Sequence, residues 1–449
     1  MDATLTPSPK PSNEELAHQR RQHAAALAGN ALPGCFDLTL SEALVLGLLR
    51  QEVRTFFTVF GHGSTEVGEV LRLYQEAGLV RVFGLRSEIE ASHAATALRW
   101  VTGEKAAVVT SIGPGALQAM AASLVPASDG IGVWYLCGDE TSEDEGFNMQ
   151  QVPRHAHGLF LQLAAGLGQA YSLHTPLALP TALQRGSVTV DHPTRPGPFY
   201  LFMPMNTQAA WLPGFNLDEL PEACHVSLGA AQADYALAAQ WIREAQRILV
   251  KVGGGGRNAG PELLTLLERS GGVLVHTPIA TGCIPYHHPQ NMTIGGSKGS
   301  IPGNFSMEHA DVLVAIGTRA VCQSDCSRTG YPKVKRVINL NADLEDATHY
   351  HHTLALVGDV RLTLEKLNQA LEKEKGSSHA TTWLEACAAQ KTAWQSFKAE
   401  RALHPILQDE YWGAAVLTQP AVLQIATGWA KKQGAVCFFD AGDVQANGF

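Results

Sequence analysis

The chain has 449 residues, too many for one ordinary domain and suited to two or three. With 45% hydrophobic and 17% charged residues it can bury a large core, which excludes disorder throughout. Its net charge of -9, from 33 Lys and Arg against 42 Asp and Glu, provides no basic footprint and excludes a nucleic-acid partner.

Residues 1–11 are rich in Pro and Ser and read as a mobile start. Ser12 and Glu15 have the spacing of a capping box, so the polar, Ala-rich run to about Gly29 predicts a surface helix. No apolar core like that of a secretory signal stands in this region. No apolar run in the chain reaches the roughly 18 residues of a membrane span. The eight cysteines, several of them inside apolar runs such as Val133–Cys137, therefore read as reduced thiols of a cytoplasmic protein. Cys322 and Cys326 lack the second pair or histidines that a zinc site needs.

From Leu38 onward, short apolar runs alternate with amphipathic stretches. Thr55–Phe60, Leu79–Gly84, Ala106–Ser111, Gly132–Cys137 and Phe199–Met203 have strand length, and Val67, Leu71 and Tyr74 have helical spacing. This alternation predicts an α/β fold of successive doubly wound parallel-sheet domains. After a Pro-containing linker the pattern restarts, with strands expected at Ile248–Val252, Gly272–His276, Asp311–Ile316 and Arg336–Leu340. A charged junction and a helix lead to a last segment with a strand expected at Ala435–Phe439. The expected division is an N-terminal arm over 1–35, a first domain over 36–206, a linker over 207–227 and a central domain over 228–370. A linker and helix over 371–416 and the start of a third domain over 417–449 complete it. A domain ending one strand after it begins cannot bury its own sheet, so the sequence reads as truncated or completed by another polypeptide.

Four segments of the first domain carry candidate chemistry. Phe60-Gly61-His62-Gly63 follows an apolar strand and opens a helix, where glycines allow tight turns and close approach of a ligand. Arg86-Ser87-Glu88 places a carboxylate at a helix start, where the helix dipole favours it. His93 and a run of alanines (Ala91, Ala94, Ala95, Ala97) follow on the same helix, and Glu90 points elsewhere and is expected to be solvated. Ser111-Ile112-Gly113-Pro114-Gly115 is a second glycine turn at a strand end, followed by Gln118. Arg195-Pro-Gly-Pro198 leads into the last strand. Taken singly, each motif is equally a plain turn or a capped helix.

The order and spacing of these motifs resemble the pyrimidine-binding domain of thiamine-diphosphate enzymes of the acetolactate synthase type. Gly61-His62-Gly63 and Ser111–Leu117 are closer to the trihydroxycyclohexanedione hydrolases of inositol catabolism than to acetolactate synthases. Val252–Gly256, Ile316-Gly-Thr-Arg319, Val337–Asp343 and Val357-Gly-Asp359 resemble the central domain of the same family. The resemblance implies that Glu88 is the catalytic glutamate. A carboxyl hydrogen-bonded to the cofactor's aminopyrimidine helps it release the weakly acidic thiazolium C2 proton, after which the cofactor attacks a carbonyl and acts as an electron sink. Gly61, His62, Gly63, Gly113, Pro114 and Gly115 would then line the pyrimidine and the reacting centre, with His93 and Gln118 as further pocket candidates.

The family holds Mg²⁺ and the diphosphate through a Gly-Asp-Gly motif, and this chain contains none. Ala441, Gly442 and Asp443 resemble an earlier loop that touches the diphosphate, so no metal ligand is assigned and the Mg²⁺ ligands are expected in a missing C-terminal part. Gly253–Gly256 lacks the glycine spacing of a dinucleotide site, so FAD is not expected and an NAD(P) oxidoreductase is disfavoured. The expected activity is thiamine-diphosphate-dependent cleavage of a carbon–carbon bond beside a carbonyl, first as hydrolytic ring opening of a cyclic 1,2-dione. Carboligation or decarboxylation of 2-oxo acids is the alternative, and a paralogue without cofactor is a third reading. The expected partners are a small carbonyl substrate and further copies of the chain, as a dimer or tetramer.

Overall fold

The computed structural model describes residues 10–143, 150–152, 158–223, 225–231, 233–327, 329–372, 380–440, 442 and 444. They form two compact units, residues 1–226 and 227–449, each with its own parallel sheet.

The first unit opens with α1 (Asn13–Ala28), whose Ser12–Glu15 capping box is formed. Helix α1 is not a free arm, because Leu16, Arg20 and Ala24 are buried. Its Arg20 donates to Thr39 Oγ1 at 2.9 Å and pairs with Glu66 at 3.2 Å. The elements that follow are β1 (Cys35–Thr39), α2 (Leu40–Arg50), β2 (Thr55–Val59), α3 (Thr65–Glu76), β3 (Arg81–Gly84) and α4 (Glu88–Thr102). Next come β4 (Ala106–Thr110), α5 (Pro114–Ala122), α6 (Leu124–Asp129), β5 (Val133–Asp139) and α7 (Leu159–Ala165). The unit closes with β6 (Gln169–Ser172), α8 (Leu179–Val190), β7 (Pro198–Pro204), α9 (Met205–Gln208) and β8 (Trp211–Asn216). Six strands make a parallel sheet in the order β3-β2-β4-β5-β7-β6, while β1 and β8 form a separate antiparallel pair.

Strands β4 and β7 are buried along their whole length, as expected where helices cover both faces of a parallel sheet. Alternate residues feed different cores. Ala107, Val109, Trp134, Leu136, Phe199 and Leu201 pack with α2, α3 and α8. Val108, Tyr135, Cys137, Tyr200 and Phe202 pack with α4, α5 and α7. On α4 only Ala91 and Ala95 of the alanine run are buried, and they meet Ala116 and Ala119 of α5 in one cluster.

The second unit repeats the plan with α10 (Tyr235–Glu244), β9 (Ile248–Val252), α11 (Gly260–Ser270), β10 (Val273–His276), β11 (Asn291–Ile294), α12 (Ile301–His309) and β12 (Val312–Ile316). It continues with β13 (Arg336–Asn341), α13 (Leu344–Ala347), β14 (Thr353–Val357), α14 (Val360–Glu372) and α15 (Ala380–Leu403). The sheet is again parallel, in the order β11-β10-β9-β12-β13-β14. A hairpin of β15 (Ile406–Asp409) and β16 (Ala414–Leu417) precedes α16 (Gln419–Lys432). The strand expected at Ala435–Phe439 is not one. Those residues are irregular and, but for half-buried Phe439, exposed, because no described strand lies beside them to accept their hydrogen bonds.

The second core holds a cation. Lys251 on β9 is fully buried and donates to the carbonyls of Gly295 at 3.1 Å and Ser324 at 2.9 Å. Nearby Asp325, also buried, accepts from Tyr331 at 2.9 Å and from Tyr350. Burial lowers the Lys251 ammonium from its ordinary value to about 8. The unfolded chain therefore holds a proton there, between about pH 8 and pH 10, that the folded chain has released. The burial penalty is complete below that window and fades above it, so this residue makes stability rise with pH. We expect wild type to gain about 2 kcal/mol over Lys251→Met between about pH 7.5 and pH 9.5, read from urea midpoints. A difference independent of pH would show that Lys251 is not a buried cation.

Candidate active site

In the first sheet the chain moves outward from β2 to β3 and then crosses back to β4 on the other side of β2. The carboxyl ends of β2 and β4 thus flank a topological switch point, the place where open α/β sheets leave a crevice for ligands. Three candidate segments meet here. Residues 60–64 follow β2, residues 111–115 follow β4, and Glu88 opens α4 directly after β3 and its turn.

Glu88 is the first helical residue of α4, behind the N-cap Ser87, whose side chain accepts from the amide of Glu90. It is 8% exposed, whereas Glu90 is exposed. Four residues on, and so on the same helix face, buried Ser92 hydrogen-bonds Tyr135 of β5 across 2.6 Å. That bond fixes the turn of α4 that carries Glu88. Tyr135 stacks on Tyr200 at 5.0 Å, and burial raises the phenol of each, to about 12 for Tyr200, so both stay protonated. The Cys137 thiol beneath is also pushed up to about 12 by burial, which makes it a packing group rather than a nucleophile.

The Glu88 carboxylate lies against Gly115. A Cβ there would stand 2.8 Å from Glu88 Oε1 and 2.8 Å from Ser111 Oγ. A Cβ on Gly61 would in turn meet Ser111 Cβ at 2.8 Å, so Gly61, Ser111, Gly115 and Glu88 are contiguous. Among the described residues the carboxylate makes no hydrogen bond or ion pair, although it is buried. Its oxygens nonetheless keep some contact with solvent beside Gly115, so they are open to a hydrogen bond from an incoming group.

The other candidates divide by location. Gly63, at φ +80°, and Gly113, at φ +63°, hold the two turns, and both are buried, as is Gly115. Gly61, His62 and Pro114 are exposed at the rim, and the carbonyl of His62 accepts from the amide of Ile112 at 3.0 Å. His93 and Gln118 are exposed on α4 and α5. Gly442 is exposed at φ +93°, and Ala441 and Asp443 lie outside the described residues. Among the described residues no three His, Cys, Asp or Glu side chains group as metal ligands. In the second unit Gly253 and Gly255 spend their amides on the carbonyls of Ile316 and Gly317, at 2.9 and 3.0 Å. These glycines serve contact between two loops.

Sequence reasoning missed Ser92, Tyr135, Glu140 and Gln208. Glu140, 6% exposed, follows β5, and its Oε2 stands 3.9 Å from His62 Nε2. Gln208 is buried and donates through Nε2 to the carbonyls of Gly63 at 2.7 Å and Met203 at 2.8 Å.

Residues 38–165 match the thiamine pyrophosphate enzyme N-terminal TPP binding domain, and residues 235–367 match the central domain of those enzymes. Together the two matches cover more than half of the chain, which belongs to the thiamine pyrophosphate enzymes. Among individual relatives, the 3D-(3,5/4)-trihydroxycyclohexane-1,2-dione hydrolase of Listeria monocytogenes is 25% identical over 402 residues, 83% of this chain and 62% of that protein. The protein of the same name from Bacillus velezensis is 25% identical over 364 residues, 76% of this chain and 56% of that one. The acetolactate synthase large subunit of Buchnera aphidicola is 24% identical over 363 residues, 77% of this chain and 60% of that protein. The chain thus spans about three fifths of the length of these relatives.

Proposed function

We propose that the chain supplies the pyrimidine half-site of a thiamine-diphosphate-dependent enzyme that cleaves a carbon–carbon bond beside a carbonyl, with Glu88 as the catalytic acid. The observation that carries this reading is Glu88, a largely buried residue at the start of α4 whose carboxylate has no described partner and is contiguous with Gly115, Ser111 and Gly61. When bound, thiamine diphosphate supplies a carbon nucleophile and an electron sink. The chain's own residues do the rest. Glu88 presents a carboxyl to a ring nitrogen and passes a proton there. Gly113 and Gly115 shape the wall beside it, and His62 stands at the rim within reach of an incoming carbonyl oxygen.

Hydrolytic ring opening of a cyclic 1,2-dione is the preferred substrate reading, supported by the names of the Listeria and Bacillus relatives. Carboligation of 2-oxo acids is the alternative, favoured by the Buchnera relative. The proposal includes Mg²⁺ on the diphosphate with no ligand assigned in this chain, and Ala441, Gly442 and Asp443 near the diphosphate. It also includes a cytoplasmic homo-oligomer, supported by the exposed apolar side chains of Ile89, Leu117, Leu124 and Val125 on α4, α5 and α6.

Calorimetric titration of thiamine diphosphate with Mg²⁺ into a protein comprising this chain tests the reading. Saturable binding that weakens on Glu88→Gln is expected. Binding of equal strength in the variant would overturn the role of Glu88.

A further inference from the structure

Two buried side chains converge on the His62 loop from outside it. Gln208 reaches from α9 to the carbonyl of Gly63 at 2.7 Å while its second donor contact, to Met203 at 2.8 Å, ties it to the end of β7. The loop is thereby fastened to the sheet at the residue after His62. Glu140 approaches from β5. Its placement follows from a close backbone contact, because a Cβ on Gly138 would lie 2.8 Å from the carbonyl carbon and oxygen of Gly63. With glycine at both positions the end of β5 sits directly beside the loop, and Glu140, two residues on, comes within 3.9 Å of the imidazole. The backbone of His62 is fixed from a third side by the Ile112 amide, from the strand end next to Glu88's neighbour Ser111.

We propose that Glu140 and Gln208 are positioning residues that hold His62 in one orientation at the rim of the Glu88 cleft, Glu140 acting on the ring and Gln208 on the backbone. The proposal deepens the functional reading above and rests on it for the substrate. A ring free to swing into water would have to be ordered each time a carbonyl substrate bound. A ring already ordered spares that cost and directs one nitrogen inward, while the other faces the carboxylate. Neither residue needs to touch the substrate.

The test has two arms. In the first, the 449-residue chain is labelled with ¹³C-histidine, the His62 ring signal is assigned from a His62→Gln variant, and no cofactor is added. A single sharp His62 signal is expected in the wild type. Glu140→Ala should displace and average it toward that of a free histidine, and Glu140→Asp should restore it in part. Gln208→Met should instead speed hydrogen exchange of the Ile112 amide, which His62 holds. An unchanged ring signal in Glu140→Ala, or unchanged exchange in Gln208→Met, overturns the assignment of that residue whatever the protein's activity.

The second arm measures turnover of cyclic 1,2-diones and 2-oxo acids with thiamine diphosphate and Mg²⁺. Glu140→Ala should lower kcat/KM on the order of 10–100-fold, and combining it with His62→Ala should bring no loss beyond His62→Ala alone. Additive losses would overturn action through His62. Absence of turnover in the wild type would sink the substrate reading and leave the first arm to decide the positioning.

Discussion

Glu88→Gln is expected to lower kcat on the order of 10²–10⁴-fold while leaving the fold intact, the range associated with loss of a positioned general acid or base. Gln has nearly the same shape and can donate a hydrogen bond to a ring nitrogen from the same place, but it cannot pass a proton. The stability cost should be small, because the wild-type carboxylate has no described hydrogen bond or ion pair to lose. Unfolding midpoints with and without thiamine diphosphate, beside initial rates, separate these effects. Near-wild-type turnover at saturating cofactor would remove Glu88 from the mechanism.

The sequence makes some of this arrangement readable and hides the rest for identifiable reasons. Strands β2, β4, β5 and β7 are mostly apolar because they lie in the middle of a parallel sheet, and such runs are legible without neighbours. Strands β6, with sequence QAYS, and β11, with NMTI, are four-residue edge strands with polar members, so nothing in their pattern separates them from loops. The pair of β1 and β8 joins residues near 35 to residues near 216, a register set wholly by tertiary folding. The sequence predicts α15 only as a helix of unstated bounds, and nothing in it predicts the hairpin that follows. Its residues are largely exposed, so its apolar pattern reports no core.

The site shows the same division. Glu88 and the glycine turns are legible because each stands in a short local motif at a strand end. The groups that hold them are not, because their partners are remote in the chain. Ser92 meets Tyr135 across 43 residues, and Gln208 meets Gly63 across 145. A serine inside an alanine-rich helix and a glutamine after a strand carry no local mark of such a task. Helix α1 illustrates the converse. Its capping box is readable, but the burial of Arg20 against Thr39 and of Glu42 against His23, at 3.0 Å, emerges only when α1 packs on α2.

Gly115→Ala separates the role of the Glu88 carboxylate from its mere presence, since it leaves every titratable group in place. The backbone at Gly115 is helical and compatible with any residue, so conformational strain is not the issue. The added methyl would lie 2.8 Å from Glu88 Oε1 and from Ser111 Oγ, closer than carbon and oxygen settle without one of them moving. Ser111 Oγ donates to the carbonyl of Ile112 at 3.4 Å whereas the carboxylate makes no described bond, so the carboxylate is the group that gives way. Because it makes no bond that resists the move, the stability cost should fall at or below the about 1–3 kcal/mol usual for overpacking. The functional cost should be much larger. A displacement of about 1 Å at a proton-passing group is worth roughly 10²-fold in rate, so kcat should fall by about that factor. Added to Glu88→Gln, Gly115→Ala should cost almost nothing more, because the group it displaces no longer passes a proton. The measurement is a double-variant cycle on kcat with urea midpoints alongside. Full additivity would mean that Gly115 shapes the cofactor pocket independently of Glu88, and an unchanged kcat in Gly115→Ala would mean that the carboxylate reaches its working position from elsewhere.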